Sequence, residues 1–438
     1  MFLQFSSQFM GNNQTGSVTH PVPFHLTGRS GVGPGEQDWG YVTVRPEAHI
    51  FYWLYYHERT TEHPLVIWLQ GGPGASSTGY GNFEELGIVD TNLNVRNYSW
   101  VKHVNVLFID NPVGTGFSYV DSYSALTTNN SQIAKDLVTF TGGFLEAHPE
   151  FKTVPLYIFS ESYGGKMAAE YALFLDKAIK DGNIEVPLEG VALGDSWVSP
   201  IDSVLTWAPF LLQMGFVDTE GYNIIDSYAQ QTKAAIDAGK YELATDLWGR
   251  TEMIILQVTG GIDFYNVLFP VHSSSKSRPI TSFRGLVNKL LLRDDDDLDH
   301  FMNTVVKEAL EIPAEVTWGG QSGDVFDYLS EDFMKPATEV VEQLLEKTDL
   351  TVCVFTGQLD LIVDTPGTLL WAEQLKWSEA KNWATATRSP VVINGIIEGY
   401  KKSFGNFHFY WLLRSGHMVP TDNPTGALKL LQEITHYK

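Results

Sequence analysis

The chain has 438 residues, 43 % of them hydrophobic, and a formal net charge of -23 from 52 acidic and 29 basic residues. This charge argues against nucleic acid or an anionic membrane as the main partner, and the hydrophobic content argues against disorder. No run of about 18 or more apolar residues occurs, so no membrane-spanning helix is expected. Cys353 is the single cysteine, which excludes an intrachain disulfide and a cysteine-based zinc site.

From Trp39 the chain alternates apolar strands with helical segments, a pattern typical of a mostly parallel sheet covered on both faces. A β-hairpin is expected first, in G-Y-V-T-V-R and A-H-I-F-Y-W-L-Y-Y. The next predicted elements are strands at 64–69 and 104–110, a helix at 131–147, and strands at 154–159 and 190–193.

Residues 201–311 show helical periodicity without strands, apart from a polar loop at 273–278 and an acidic run at 293–300. The acidic run lacks EF-hand spacing and is interpreted as solvated. Alternation then resumes with a helix at 332–347, a strand at 350–355, a helix at 367–376, a strand at 407–413 and a closing helix. The prediction is a single α/β domain over 1–438, with 201–311 as a helical insertion that caps the sheet.

Ser162 lies between the apolar segment Val154–Phe159 and a run of good helix formers, K-M-A-A-E. This is the layout of a nucleophile elbow, a sharp turn that exposes a serine hydroxyl near a helix N-terminus, where developing negative charge is stabilised. Gly164 and Gly165 let such a turn close, whereas Ser160 replaces the first glycine of the G-x-S-x-G pattern. The alternative is an ordinary strand–turn–helix with an idle serine.

The glycine-rich loop Q-G-G-P-G-A-S-S, at residues 70–77, directly follows the apolar strand 64–69. Neither G-x-x-x-x-G-K-[ST] nor G-x-G-x-x-G is present, so phosphate binding is disfavoured. Backbone N–H groups exposed by glycines suit an oxyanion-binding loop instead.

An elbow serine needs a base to accept its proton and a carboxylate to orient that base. In α/β-hydrolases both follow the serine, the acid before the histidine, each in a loop after a late strand. Asp360 in T-G-Q-L-D and His417 in S-G-H-M meet this requirement, and Asp364 is a rival acid in the same loop.

The motifs W-L-Q-G-G-P-G-A-S-S, D-N-P-V-G-T-G-F-S-Y, E-S-Y-G-G-K, G-Q-L-D and G-H-M-V-P occur in this order. Together they resemble the serine carboxypeptidases, α/β-hydrolases that remove C-terminal residues from peptides. Variants such as G-D-S-W-V-S-P and D-F-M-K-P are most similar to a subgroup that includes the plant serine-carboxypeptidase-like proteins. The likeness extends from about Trp39 to the C-terminus.

The resemblance implies that Ser162 is the nucleophile, His417 the general base and then acid, and Asp360 the residue that holds the imidazole. It implies an oxyanion hole formed by the N–H groups of Gly72 and Tyr163. No metal or organic cofactor is implied.

The resemblance further implies that Gln70, Gly71 and Glu161 bind the substrate's terminal carboxylate and that Glu85 supports Glu161. Glu85 is otherwise a solvated helix residue. Two adjacent carboxyls share a proton, and the protonated one can donate a hydrogen bond to a carboxylate. Peptide binding should therefore weaken as pH rises, which predicts an acidic optimum.

The chain departs from the family pattern at two positions of the glycine-rich loop. Gln70 replaces a common Asn, which we interpret as altered recognition, and Ala75 replaces a common Cys. Sequons at Asn13, Asn97 and Asn129 are glycosylation candidates. The resemblance implies a lysosomal, vacuolar or extracellular setting on the secretory route, although the first residues lack the features of a signal peptide.

Three functions stay open at this point. The first is a serine carboxypeptidase that acts through an acyl-enzyme on peptide or protein C-termini, as a monomer or homodimer. The second is an acyltransferase that uses the same triad, as in plant relatives of this fold. The third is a catalytically silent binding or stabilising protein, because fold alone does not prove function.

Overall fold

The computed structural model describes residues 28–271 and 296–437, and within these ranges the strands form one sheet of eleven strands. The strands are β1 (Gln37–Arg45), β2 (Ala48–Tyr55), β3 (Leu65–Leu69), β4 (Asn105–Ile109), β5 (Tyr119–Val120), β6 (Leu156–Glu161), β7 (Leu188–Gly194), β8 (Thr351–Gly357), β9 (Ser389–Ile393), β10 (Ile396–Phe404) and β11 (Phe407–Leu412).

The strand order is β1-β2-β4-β3-β6-β7-β8-β11-β10-β9, and β5 pairs with β2. The central strands from β4 to β11 in this order are parallel, and antiparallel strands lie at both edges. The predicted, mostly parallel sheet and the predicted hairpin β1–β2 are confirmed. The antiparallel strands β9 and β10 were not predicted.

The helices pack around this sheet and follow the predicted alternation in most places. They are α1 (Asn130–Ala147), α2 (Tyr163–Lys180), α3 (Pro200–Gln213), α4 (Thr219–Asp237), α5 (Tyr241–Thr259), α6 (Asp296–Phe301), α7 (Gly323–Tyr328), α8 (Ser330–Phe333), α9 (Thr338–Lys347), α10 (Thr365–Gln374), α11 (Ala380–Thr385), α12 (Val419–Asp422) and α13 (Pro424–Thr435).

The helices α3 to α9 follow one another between β7 and β8, in the part of the chain where helical periodicity was noted. The predicted helix 332–347 is instead two helices, α8 and α9, because Pro336 between them lacks a backbone N–H. The polar loop predicted at 273–278 lies outside the described residues, and α6 begins within the acidic run.

Both faces of the central strands are buried, which explains why these strands are continuously apolar. Successive side chains of a strand point to opposite faces. In β3, Ile67 belongs to the buried cluster on one face that includes Met167 of α2, whereas Trp68 belongs to the cluster on the other face that includes Leu431 of α13. Cys353 is buried in β8, as expected. In the described ranges, no helix is both long enough and apolar enough to cross a membrane.

Helix α2 begins immediately after Ser162, three residues earlier than the helix-forming run suggested, and its first turn lies against the end of β3. A methyl group on Gly164 would lie 2.4 Å from the carbonyl oxygen of Leu69 and 2.9 Å from that of Gln70. This close approach of the helix to the strand therefore requires glycine.

We expect Gly164→Ala to lower the free energy of unfolding by about 1–3 kcal/mol, because the added methyl must push α2 away from β3. Gly142→Ala in α1 is the matched control, since a methyl there meets nothing within 4 Å. That control should raise stability by about 0.4–1 kcal/mol, because alanine restricts the unfolded chain. Chemical denaturation followed by tryptophan fluorescence measures both, and equal effects would contradict the packing argument.

Candidate active site

Ser162 lies in a sharp turn between β6 and α2, with φ 61° and ψ -131°. The turn is held by its backbone, because the Ser162 N–H donates to Gly194 O at 3.0 Å. The Ser162 carbonyl accepts from the N–H groups of Trp197 and Gly165 at 2.9 and 3.0 Å. The turn is thus a nucleophile elbow in geometry, and Ser162 opens into a cleft.

The glycine-rich loop after β3 approaches this elbow closely. A methyl group on Gly71 would lie 2.5 Å from Ser162 Cβ and 2.8 Å from the backbone nitrogen of Tyr163. Gly72 has φ 101°, a conformation that favours glycine. The loop and the start of α2 therefore present their backbone to the same space beside Ser162.

A second segment, residues 318–322, covers the glycine-rich loop and was not predicted. Ser76 N–H donates to Gly320 O at 3.0 Å, as in a short stretch of sheet. The side-chain amide of Gln321 donates to Pro73 O at 2.6 Å and lines the cleft. These contacts hold the loop in place by backbone and amide hydrogen bonds.

His417 and Asp360 come together beside the cleft, each from a loop that follows a parallel strand. His417 Nδ1 lies 2.7 Å from Asp360 Oδ2, and both side chains are buried. The second ring nitrogen, Nε2, has no hydrogen-bond partner among the described residues. His417 and Ser162 line the same cleft, so Nε2 is the nitrogen available to the serine hydroxyl.

The rival acid, Asp364, has a different environment. Its Oδ1 accepts a hydrogen bond from the Thr206 hydroxyl at 2.8 Å, which ties it to α3. One acid near the site, Asp195, was not predicted. It directly follows β7, and its carboxyl lies within hydrogen-bond reach of the Asp360 carboxyl. Its position after a parallel strand, next to the elbow strand, was a signal that could have identified it.

Gln70, Glu161 and Glu85 form a buried cluster next to Ser162. The Gln70 amide nitrogen donates to Glu161 Oε1 at 2.9 Å and to Glu85 Oε1 at 3.0 Å. The Gln70 amide oxygen accepts from Trp68 Nε1 at 2.7 Å. Glu85 is 3 % exposed, so its alternative interpretation as a solvated helix residue is wrong.

Residues 29–437 match the family model described as "Serine carboxypeptidase", which spans nearly all of the described chain. The chain belongs to the serine carboxypeptidase family. The resemblance of the five motifs is thereby confirmed.

Proteins similar to this chain are also named as serine carboxypeptidases. The chain is 45 % identical over 423 residues to the retinoid-inducible serine carboxypeptidase of Rattus norvegicus, with 92 % of each protein covered. It is 38 % identical over 426 residues to serine carboxypeptidase-like 51 of Arabidopsis thaliana, again with 92 % of each covered. A solved prohormone-processing carboxypeptidase from Saccharomyces cerevisiae superposes with a TM-score of 0.78 at 21 % identity, covering 92 % of this chain and 91 % of that one. The fold is therefore that of an α/β-hydrolase.

Within this carboxypeptidase fold, the two departures in the glycine-rich loop have structural counterparts. The longer side chain of Gln70 keeps its amide between the two glutamates. Ala75 forms a β-bridge with Gln321. The loop of this family member is thus supported without a disulfide.

Burial and the neighbouring charges shift the pKa values of Glu161 and His417 in opposite directions. Burial and the nearby Glu85 carboxyl raise the pKa of Glu161 well above its usual range. Burial lowers the pKa of His417, although the charges of Asp195, Glu85 and Asp263 oppose this shift. Glu161 therefore favours its protonated form and His417 its neutral form.

The raised pKa of Glu161 gives a stability prediction. The native state prefers protonated Glu161, so the stability from this group is full below the pKa of an unfolded glutamate and is lost as pH rises through the native pKa. Glutamine imitates the protonated carboxyl at every pH. The melting temperature of Glu161→Gln minus that of the wild type should therefore increase as pH rises from about 4.5 to about 7.5.

An exposed glutamate on α9, Glu339, supplies the control. The melting temperatures of Glu339→Gln and the wild type should stay parallel over the same pH range. A Glu161→Gln variant that also stays parallel to the wild type would contradict the shift.

Proposed function

We propose that this protein is a serine carboxypeptidase that releases C-terminal residues from peptides through an acyl-enzyme. The observation that supports this most strongly is the pairing of His417 Nδ1 with Asp360 at 2.7 Å, with Nε2 left available in the cleft that contains Ser162. The buried Gln70–Glu161–Glu85 cluster beside the same serine supports the choice of a C-terminal carboxylate as the recognised group.

In the proposed first step, Ser162 Oγ attacks the carbonyl carbon of the last peptide bond while His417 Nε2 accepts the hydroxyl proton. Asp360 holds the imidazole by Nδ1 and stabilises the imidazolium that forms. The imidazolium then gives the proton to the leaving amine, and the C–N bond breaks. Water attacks the resulting ester with His417 as base, which releases the shortened peptide and restores Ser162.

The negative oxygen of each tetrahedral intermediate would be stabilised by the N–H groups of Gly72 and Tyr163. Tyr163 is the first residue of α2, and the first N–H groups of a helix have no partner within that helix. The positive end of the helix dipole adds to this stabilisation. The close approach of Gly71 to Tyr163 N supports the pairing of these two segments.

The terminal carboxylate of the substrate would be bound by Glu161 in its protonated form, with Gln70 and the Gly71 backbone beside it and Glu85 behind. Glu85 and Glu161 share a hydrogen bond that needs one proton. At acid pH Glu161 can turn that proton from Glu85 to the incoming carboxylate and donate a hydrogen bond to it. At higher pH the same site holds two negative charges and repels it, which is the reason for an acidic optimum.

The family resemblance supports a secretory setting, such as the lysosome, the vacuole or the extracellular space. Asn97 and Asn129 are exposed, as glycosylation requires, whereas Asn13 lies outside the described residues. We further propose a single catalytic domain over residues 1–438, with 201–311 as a helical insertion over the site, and a monomer or homodimer that acts on peptide or protein C-termini.

Ser162→Ala should reduce release of the C-terminal amino acid from N-blocked dipeptides by on the order of 10⁴-fold or more, because no other group can form the acyl-enzyme. A fluorophosphonate should label the wild type at Ser162. Undiminished release by Ser162→Ala would contradict the proposal, whereas an unlabelled, folded wild type would favour a silent homologue. Labelling without release from any dipeptide would favour acyl transfer, which a glucose-ester donor tests.

The carboxylate-binding role of Glu161 predicts a KM for peptides that rises between about pH 4.5 and about pH 7.5, as the Glu161 proton is lost. In Glu161→Gln the amide donates at every pH, so the rise in KM should be much smaller. A peptide with an amidated C-terminus is the matched control substrate, because it carries no terminal carboxylate. An equal rise in KM for both substrates would contradict the role of Glu161.

A further inference from the structure

Asp195 is a buried acid beside the proposed triad that the mechanism above does not use. It follows β7 directly, and its own N–H donates to Phe355 O in β8 at 2.8 Å. Its φ is 38°, an uncommon value for a residue other than glycine, and its side chain is fully buried. The backbone thus holds this carboxyl in a fixed position between two strands.

The two oxygens of the Asp195 carboxyl have different surroundings. Oδ1 accepts a hydrogen bond from Gly357 N–H at 2.7 Å, at the start of the loop that leads to Asp360. Oδ2 has no N–H or O–H donor among the described residues. The carboxyl of Asp360 lies within hydrogen-bond reach of the Asp195 carboxyl.

Two carboxylates cannot hydrogen-bond to each other, so this contact requires one proton. The Asp360 carboxyl already accepts from Val363 N–H at 3.2 Å and from the N–H of Ile362, and it pairs with His417. Asp195 accepts from Gly357 N–H alone. Because Asp360 has the donors that stabilise an anion, the proton belongs on Asp195.

We propose that Asp195 is a positioning residue for catalysis, which as a neutral carboxylic acid donates a hydrogen bond from Oδ2 to the Asp360 carboxylate. This inference rests on the proposed function of Ser162, His417 and Asp360. The bond fixes the orientation in which Asp360 Oδ2 faces the imidazole. It also takes negative charge from Asp360, which keeps the imidazole less basic and therefore neutral at lower pH.

The charges around Asp195 support its neutral form. Burial and then the charge of Asp360 raise the pKa of Asp195 well above its usual range, whereas His417 and the Gly357 N–H lower it. Glu161 is also close enough for its pKa to respond to the charge of Asp195.

Two further acids face this group from neighbouring elements. Asp263 follows α5 and acts on Asp360, and the charge of Glu85 acts on His417. A further anion among these acids is unfavourable, so Asp195 retains its proton.

The test is the second-order rate at which a fluorophosphonate labels Ser162, measured across pH. This reaction uses the triad and needs no terminal carboxylate on the reagent, so it is independent of the Glu161 site. The acid limb of the profile reports the pKa of His417 in the free enzyme. Asp195→Ala and Asp195→Asn are compared with the wild type.

Asp195→Ala should lower the plateau rate roughly tenfold, because Asp360 loses a hydrogen bond to a charged group. It should also move the acid limb to higher pH, since a more basic Asp360 holds the imidazolium more tightly. Asp195→Asn should recover most of the rate and the wild-type acid limb. Its amide can donate to Asp360 and still accept from Gly357 N–H.

Asp364→Ala is the matched structural control, because it removes a fully buried carboxyl from the same loop as Asp360. It should lower the melting temperature and leave the acid limb in place. If Asp195→Ala does not fold, Asp195→Asn still tests the proposal. An acid limb displaced to lower pH in Asp195→Asn would mean that Asp195 is ionised, and would overturn it.

The outcomes separate this proposal from the proposed function. A folded wild type that never reacts would overturn both, because it would lack a working triad. A reactive wild type with Asp195→Ala labelled at the same rate and with the same acid limb would overturn the role of Asp195 alone. Full loss of labelling in Asp195→Asn, with its fold intact, would also overturn it.

Discussion

The backbone strain at Ser162 is the constraint on which the site depends. A φ of 61° with ψ -131° is sparsely populated for serine and persists only where the surrounding structure enforces it. Here the enforcement comes from Gly194, the last residue of β7, and from Trp197 in the segment after it, which both hydrogen-bond to the Ser162 backbone. It also requires glycine at 71 and 164, where any side chain would collide with the elbow or with β3. The exposed hydroxyl is thus a consequence of strands and helices packed around one turn.

Parallel pairing explains how residues far apart in sequence reach that turn. The carboxyl ends of parallel strands lie at one edge of a sheet, where α/β proteins place their sites. From β3, β6, β7, β8 and β11 this edge receives Gln70, Glu161 with Ser162, Asp195, Asp360 and His417. The strand order β3-β6-β7-β8-β11 also fixes the order in which these residues lie along that edge.

The sequence predicted the central strands, the elbow and the residues that approach it, because continuous apolar runs and glycine-rich turns are local signals. It did not predict β9 and β10, whose residues are exposed in part and lack the apolar run of the inner strands. Segment 318–322 was also missed, since its role depends on a long-range contact with Ser76. The position of Asp195 after a strand could be read from the sequence, but its approach to Asp360 arises only in the tertiary structure. The environment of Gln70 likewise could not be predicted, because it depends on the positions of Glu161 and Glu85 in the folded chain.

Two carboxyl pairs, Glu85 with Glu161 and Asp195 with Asp360, lie near the serine, and each pair can form a hydrogen bond only when it holds a proton. The pairs are coupled, because the charges of Asp195 and Asp360 help to raise the pKa of Glu161. A proton lost from one pair therefore makes loss from the other less favourable. Burial is what makes this arrangement possible, since solvent would stabilise the anions and release both protons. The same burial lowers the pKa of His417, which favours its neutral imidazole. Burial is thus the largest cause of the pKa shifts of Glu161, Asp195, Asp360 and His417.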